Sequence, residues 1–451
     1  MSTGHPENFQ NKDSRVTQQT VPPAPNTQAA SPDKGVRKAI WIGGVGSAIE
    51  YFDFTVYAFL ATTIAVVFFP SSDPATGLLL ALAVFAASFV FRPLGGLVIG
   101  HIADRHGRRP ALILAVGGMG VATASIGLLP SYESAGILAP ILLVTARIVQ
   151  ALAAGGEMGG AGTYVAEAAP REKRGFITST TMLGLMVGTL MGSFTVAMLK
   201  LALTEDELIS WGWRVPFYLS VVFTVIAVVF RKKMEESHKF EDIKEQTATK
   251  APATILFRQH GKIVLLTTMI ALTSQASYYL VFTYLGTYFT RADLIDSGSA
   301  AVASTVALAV ATVLIPVWGK LSDRIGRKPI LIASVGSTLV LIYPLFMFMG
   351  TGPVAAVIGQ IVYGLLVSAH LGVLVAVIAE MFPTNVRSSG FSMGFNFAAI
   401  LGGGTAPYIS TWLIEETGSL RSPAFFIMLV ASLSLIGALL IKESKGTELP
   451  V

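Results

Sequence analysis

Twelve long apolar runs dominate the chain. They lie near residues 39–68, 78–103, 110–129, 138–165, 175–199 and 214–230, then near 262–289, 299–321, 329–349, 354–380, 387–413 and 424–441. Each is close to the roughly 20 residues that carry an α-helix through bilayer hydrocarbon. None shows the alternation of a barrel strand, and a helix satisfies its own N–H and C=O groups in lipid. The expected fold is therefore all-α, a polytopic membrane protein with 12 transmembrane helices in two six-helix bundles. Composition agrees: 53% of residues are hydrophobic and 13% charged, about half the charged share of a soluble domain. A soluble enzyme of 451 residues would need more polar surface than this. No Gly-x-x-x-x-Gly-Lys-(Ser/Thr) loop occurs, so ATP-driven transport has no support. With no cysteine, thiolate metal sites and iron–sulfur clusters are excluded. No cofactor and no metal are expected.

Polar stretches mark the boundaries. Residues 1–37, with Pro22, Pro23, Pro25 and Pro32 among Gln, Thr, Ser and Asn, read as a disordered tail. They lack the apolar core of a signal peptide. Residues 38–230 form the first bundle, 231–261 a charged linker, 262–442 the second bundle and 443–451 a short tail. Of the 32 Lys and Arg residues, Lys200, Arg214, Arg291 and Arg421 alone fall in one set of alternate loops, and Arg92 and Arg147 lie inside runs. All others fall on the opposite side. The positive-inside rule then puts both termini and the linker in the cytoplasm, with the chain in the cell membrane, the inner one in a Gram-negative cell. The net charge of +5 is thereby a matter of topology, and no nucleic-acid partner is expected.

The halves repeat. Gly100-His-Ile-Ala-Asp104-Arg105-His-Gly107-Arg108-Arg109 links runs 2 and 3, and Gly319-Lys-Leu-Ser-Asp323-Arg324-Ile-Gly326-Arg327-Lys328 links runs 8 and 9. Glu167, Pro170 and Arg174 likewise correspond to Glu380, Pro383 and Arg387. Duplication of this kind builds many secondary transporters. The glycines permit a tight turn and close helix approach, and the charges can bridge the halves.

These twin loops resemble the signature of the major facilitator superfamily. Further motifs narrow the resemblance: Glu50-Tyr-Phe-Asp53-Phe-Thr-Val-Tyr57, Phe91-Arg92-Pro93-Leu-Gly95-Gly96, Gly127-Leu-Leu-Pro130 and Arg147-Ile-Val-Gln150-Ala-Leu-Ala-Ala-Gly155-Gly156-Glu157. Together they are similar to the metabolite:proton symporter family, which includes proline/betaine, α-ketoglutarate, citrate and shikimate permeases. Ala151 departs from the glycine usual there. The resemblance implies import of a small metabolite together with a proton by alternating access, in a chain that works as a monomer. An osmolyte porter for proline or betaine is the alternative. An exporter is a further one, but the Gly-Pro signature of antiporters is missing at Gly188-Thr189. The resemblance also assigns a conformational switch to Gly100, Asp104, Arg105, Gly107, Arg108, Glu167, Arg174, Asp323, Arg324, Arg327, Glu380 and Arg387.

Ionisable residues inside a span are costly and usually functional. Five lie in the first half: Glu50, Asp53, Arg92, Arg147 and Glu157. Glu50, Asp53 and Tyr57 share one helix face, as do Arg147, Gln150 and Glu157. Three acids against two bases leave one carboxylate to carry a proton, so Asp53, Glu157 and Glu50 are the proton-coupling candidates. Arg147 and Arg92 would hold a substrate carboxylate, with Tyr57, Gln150, Gln275, Tyr279 and His370 completing the binding site. A purely structural ion-pair network is the plain alternative. Asn396 is a weaker polar candidate.

Overall fold

The computed structural model describes residues 1–4, 32–106, 108–232, 252–384 and 386–450. Among them there is no strand. Ten helices are individually long and apolar enough to cross a membrane, and the bent pair Gly43–Phe59 and Ala61–Phe68 makes an eleventh. Arg108–Leu128, apolar over Ile113–Leu128, takes the remaining place.

We number the twelve in chain order. α1 is Pro32–Phe59 followed, after a 63° bend, by Ala61–Phe68. α2 is Pro74–Val90 and Arg92–His106, α3 is Arg108–Leu128, α4 is Leu138–Ala154 and Glu157–Ala168, α5 is Arg174–Ala202 and α6 is Val215–Lys232. α7 runs Pro252–Tyr279, widens into a π turn at Leu280–Tyr284, and ends as Leu285–Arg291. α8 is Ser297–Ile325, α9 is Arg327–Met349 and α10 is Pro353–Met381. α11 is Arg387–Ala398, a π turn at Ala399–Gly404, and Thr405–Thr417; α12 is Pro423–Leu440. The first helix begins at Pro32, inside the stretch read as a tail; residues 5–31 lie outside the described residues.

Local chemistry sets several of these limits. Asp73 caps α2, accepting hydrogen bonds from the Ala75 and Thr76 amides, and Pro74 fills the first turn, where a missing N–H costs nothing. Gly184 and Gly188 of α5 lie against the Gly44 and Ala48 backbone of α1, so close that a Cβ on either would collide with a carbonyl. Lipid-facing positions such as Val121, Ile137, Val313, Val340 and Leu429 are exposed, while Glu50, Asp53, Arg92, Arg147 and Glu157 are all buried. The bundle is apolar outside and charged within, the inverse of a soluble domain.

One face of the molecule carries the loops rich in Lys and Arg; it is called the charged face here. Residues 443–450 do not trail from it. The Glu443 carboxylate accepts from the Arg327 and Lys328 amides at 2.9 and 3.0 Å, capping α9. The Thr447 carbonyl accepts from Arg174 at 3.1 Å and the Pro450 carbonyl from Arg387 at 2.7 Å. The segment thus straps the two bundles together.

Candidate functional site

Two constellations stand out, one at the centre of the bundle and one at the charged face. The central one begins with Phe54 on α1. The Arg92 guanidinium lies over its ring at 4.1 Å and the Arg147 guanidinium at 4.4 Å. Arg92 also faces Phe89 at 4.8 Å, and Arg147 faces Tyr57 at 4.4 Å and Phe85 at 5.2 Å. Tyr279 of α7 closes this box from the second bundle, edge-on to Phe85 and Phe89. The π turn of α11 makes room for it: Gly403 lies under the Tyr279 ring and Gly404 under Phe89, where any Cβ would intrude. Phe54, Phe85, Phe89, Gly403 and Gly404 carry no charge, and no sequence signal singled them out as part of the site.

Arg92 approaches Glu50 at 3.7 Å. Arg147 has no such partner. Its Nη1 donates to Gln150 Oε1 at 2.5 Å and its Nη2 to Ser88 Oγ at 3.3 Å, while Nε makes no hydrogen bond. Among the described residues no carboxylate pairs with it, although it is 1% exposed. Nε and Nη2 of Arg92, Gln275 Nε2 and Tyr279 Oη are also buried without a hydrogen bond. Buried polar groups are almost always satisfied, which sets these donors apart.

Asp53 points elsewhere. Its carboxylate accepts from Thr123 of α3 at 3.3 Å, inside the first bundle. Gln150 links it to the arginine: its Nε2 donates to Thr123 Oγ1 at 2.7 Å and to the Asp53 carbonyl at 3.3 Å. The Thr123 hydroxyl proton is shared between the Met119 carbonyl at 2.8 Å and Asp53, so the line from Arg147 through Gln150 and Thr123 reaches Asp53 by its weaker branch, and both ends of the Gln150 amide are used within the protein. The Tyr57 hydroxyl is likewise committed, donating to the Ala81 carbonyl at 2.9 Å; its ring face is what meets Arg147.

Arg147 and Glu157 lie on successive segments of α4. α4 loosens at Gly155 and Gly156, both still with right-handed helical dihedrals, and Glu157 opens the second segment, ten residues after Arg147. Asn396 of α11 donates to the Gly155 carbonyl at 2.9 Å, so it joins the bundles. His370 is buried on α10 with neither ring nitrogen hydrogen-bonded. Gln360, the repeat equivalent of Arg147, donates to the Val281 carbonyl in the α7 π turn at 2.7 Å.

At the charged face the repeat residues exchange partners. Arg174 of the first half donates to Glu380 of the second at 3.0 Å, and Arg387 of the second half to Glu167 of the first at 2.6 Å. Asp323 reaches across to accept from the Gly175 and Phe176 amides at 2.8 and 2.9 Å, placing an anion on the N-terminus of α5. Arg327 binds Asp323 at 2.8 Å and Glu380 at 3.4 Å. Arg324 is exposed and contributes only its carbonyl, which accepts from Lys445. Gly107 and the side chains of Asp104, Arg105 and Arg108, with Gly100, lie outside the described residues.

Two bundles of six helices, a polar site between them and ion pairs locking one face define a secondary transporter of the major facilitator fold. Comparison with known proteins agrees. The chain belongs to the sugar (and other) transporter family, whose description matches residues 40–255 and 238–450. It is 36% identical over 442 residues to the inner membrane metabolite transport protein YhjE of Escherichia coli strain K12, covering 96% of this chain and 100% of that one. It is 33% identical over 429 residues to the glycine betaine/proline/ectoine/pipecolic acid transporter OusA of Dickeya dadantii strain 3937, covering 92% and 85%. The structure of the proton:xylose symporter XylE from E. coli superposes with a TM-score of 0.73 at 16% identity, over 93% of this chain and 98% of that one, which establishes the shared fold. The chain is thus a multi-pass membrane transporter, not an enzyme.

Proposed function

We propose that the protein is a proton-coupled symporter that imports a small metabolite carrying a carboxylate, an organic acid or a zwitterion, with its charged face and both termini in the cytoplasm. The observation that carries this reading is Arg147, a buried cation with no acidic partner among the described residues. A charge in that position is expensive, and a substrate carboxylate docking on Arg147 and Arg92 would supply the missing anion by charge-assisted hydrogen bonds. The surrounding rings, with their ring faces already turned to guanidinium groups, favour an anion over a bare cation. A zwitterion would present its carboxylate to the arginines and its cationic end to Tyr279. The substrates for which the Dickeya relative is named, proline and betaine among them, fit this second form, so an osmolyte porter is the specific alternative.

Asp53 is the proton carrier in this reading. A carboxylate arriving at Arg147 competes with Gln150 for the guanidinium, and the disturbance passes through Gln150 and Thr123 to Asp53, coupling the two loads. The ion pairs of the charged face hold that side shut and must break for release. The test is a thermal-shift screen of purified protein against organic acids, amino acids and betaines, followed by uptake into proteoliposomes with an imposed pH gradient. Accumulation that ignores the pH gradient would count against proton symport, and stabilisation by none of the carboxylates would count against the substrate class.

A further inference from the structure

We propose that the face opposite the charged one carries a loading site for a small anion, built on Lys200 where α5 meets α7 and α8; as the way station of a substrate carboxylate it rests on the reading above. A cavity there is lined by Lys200 and by the hydroxyls of Ser193, Thr283, Thr287, Ser297 and Ser304. One cation and five hydroxyls line it with no acid; Thr283 and Ser193 spend their protons on Tyr279 and Thr305, which leaves Lys200 with Thr287, Ser297 and Ser304 to meet an oxyanion. Lys200 is half-buried in the last turn of α5. Among the described residues Lys200 makes no ion pair and no hydrogen bond.

Two of the other three basic residues at this face have visible structural work, and the third, Arg421, is exposed before α12. Arg291 pairs with Glu415 at 2.6 Å. Arg214 donates to the Leu129 carbonyl at 3.0 Å and lies over the Trp213 ring at 4.6 Å. Lys200 has none, and topology counts against a lysine on this side.

The cavity also sits in line with the central site. Thr283 donates to the carbonyl of Tyr279, the residue that closes the aromatic box. Ser304 accepts from Gln360, the repeat equivalent of Arg147, at 3.0 Å. Between cavity and box the seam is shut by the Thr189–Tyr278 hydroxyl pair and by Ser193 with Thr305 at 2.8 Å. The cavity's free volume of about 20 Å³ holds one water-sized group, so an anion drawn to Lys200 would seat one oxygen there and wait on the outer side of the seam, its local concentration raised by the field of the lysine.

Because the chain has no cysteine, the site can be probed with a single introduced thiol. In Thr287→Cys protein reconstituted in liposomes, thiosulfonate reagents carrying an anionic or a cationic group are applied from the side of the Lys200 cavity. The anionic reagent is expected to gain at least fivefold relative to the cationic one when Lys200 is present, to lose that gain in Lys200→Gln and to keep it in Lys200→Arg. In the otherwise unaltered chain, Lys200→Gln should raise KM for L-proline uptake five- to tenfold with kcat unchanged, as expected when binding common to ground and transition states is removed. A reagent preference indifferent to Lys200 overturns the loading site. If the preference depends on Lys200 but the unaltered protein takes up neither L-proline nor glycine betaine, the anion site stands and the zwitterion reading is what fails.

Discussion

Arg147 meets three aromatic rings, a glutamine and a serine, and its net positive charge is left for something else to answer. Arg147→Ala should therefore abolish both pH-driven accumulation and counterflow exchange. Loss of charged hydrogen bonds worth about 3 kcal/mol predicts a fall of roughly a hundredfold in substrate binding, read by thermal shift or scintillation proximity. Arg147→Lys should rescue little, because a single ammonium cannot lie across the rings while bonding Gln150 and Ser88. Asp53 is separable from this anchor. Asp53→Asn should stop accumulation against a gradient while sparing counterflow, which moves no net proton. If Asp53→Asn still accumulates substrate and Glu157→Gln does not, the carrier is Glu157; if both accumulate it, His370 becomes the candidate. Gln150 and Thr123, which lie between the two loads, should when altered weaken coupling more than binding.

At the scale of the element, the devices that matter are interruptions. α4 loosens at Gly155 and Gly156, α2 at Phe91 beside Arg92, and α7 and α11 widen into π turns. At two of them a side chain from another helix takes up a backbone carbonyl: Asn396 that of Gly155 and Gln360 that of Val281. The 443–450 strap is a second device. Partial burial pushes the Glu443 carboxyl up, but the amides of Arg327, Lys445, Lys328 and Ser444 outweigh it and hold it below the usual glutamate range. A depressed folded-state pKa means the cap is at full strength above the ordinary glutamate pKa and is lost as pH falls through the folded value. Glu443→Gln should mimic that loss at neutral pH. A cysteine introduced at Ser179, buried where α5 meets α8, should then be labelled several-fold faster from the charged face; an unchanged rate would mean the strap does not hold the closed state. Close packing gives a simpler expectation. Gly188→Ala drives a methyl into the Ala48 carbonyl, and overpacking of about 1–3 kcal/mol should lower the melting temperature in detergent by several degrees.

Across the whole molecule the duplication is put to mechanical use. Each half supplies one glutamate and one arginine, and each pairs with its counterpart in the other half rather than its own. In this structure the exchanged pairs span the closed charged face, and in the proposed cycle they must part for it to open. Asp323→Asn removes the charge on the α5 amides and on Arg327. Turnover should change by an order of magnitude while substrate affinity stays within a few-fold, since Asp323 touches only gate residues. Topology is testable with the same cysteine-free chain. A thiol introduced at Ser237 in the linker should be protected from impermeant reagents in intact cells, and labelling from outside would reverse the assigned orientation.

Twelve spans, the twofold repeat and the side carrying the positive charge could all be read from the chain alone. The spans and the charge asymmetry depend on transfer energies that add residue by residue along a segment, whatever its neighbours, and the repeat on residue identities at matching positions. The five buried charges were legible for the same reason: an ionisable side chain in a run of apolar ones announces its cost. What those charges do was decided by tertiary structure. Helical spacing put Glu157 on the face of Arg147; what spacing could not show is the local loosening at Gly155 and Gly156 between them, where Asn396 of the other bundle takes up a carbonyl. Gln150 looked like a substrate ligand, yet both ends of its amide are occupied within the bundle. Phe54, Phe85 and Phe89 looked like ordinary lipid-compatible side chains until packing laid two guanidinium groups on their faces. Periodicity fixes which residues share a face of one helix; which two faces meet is a property of the folded bundle, and the site is made there.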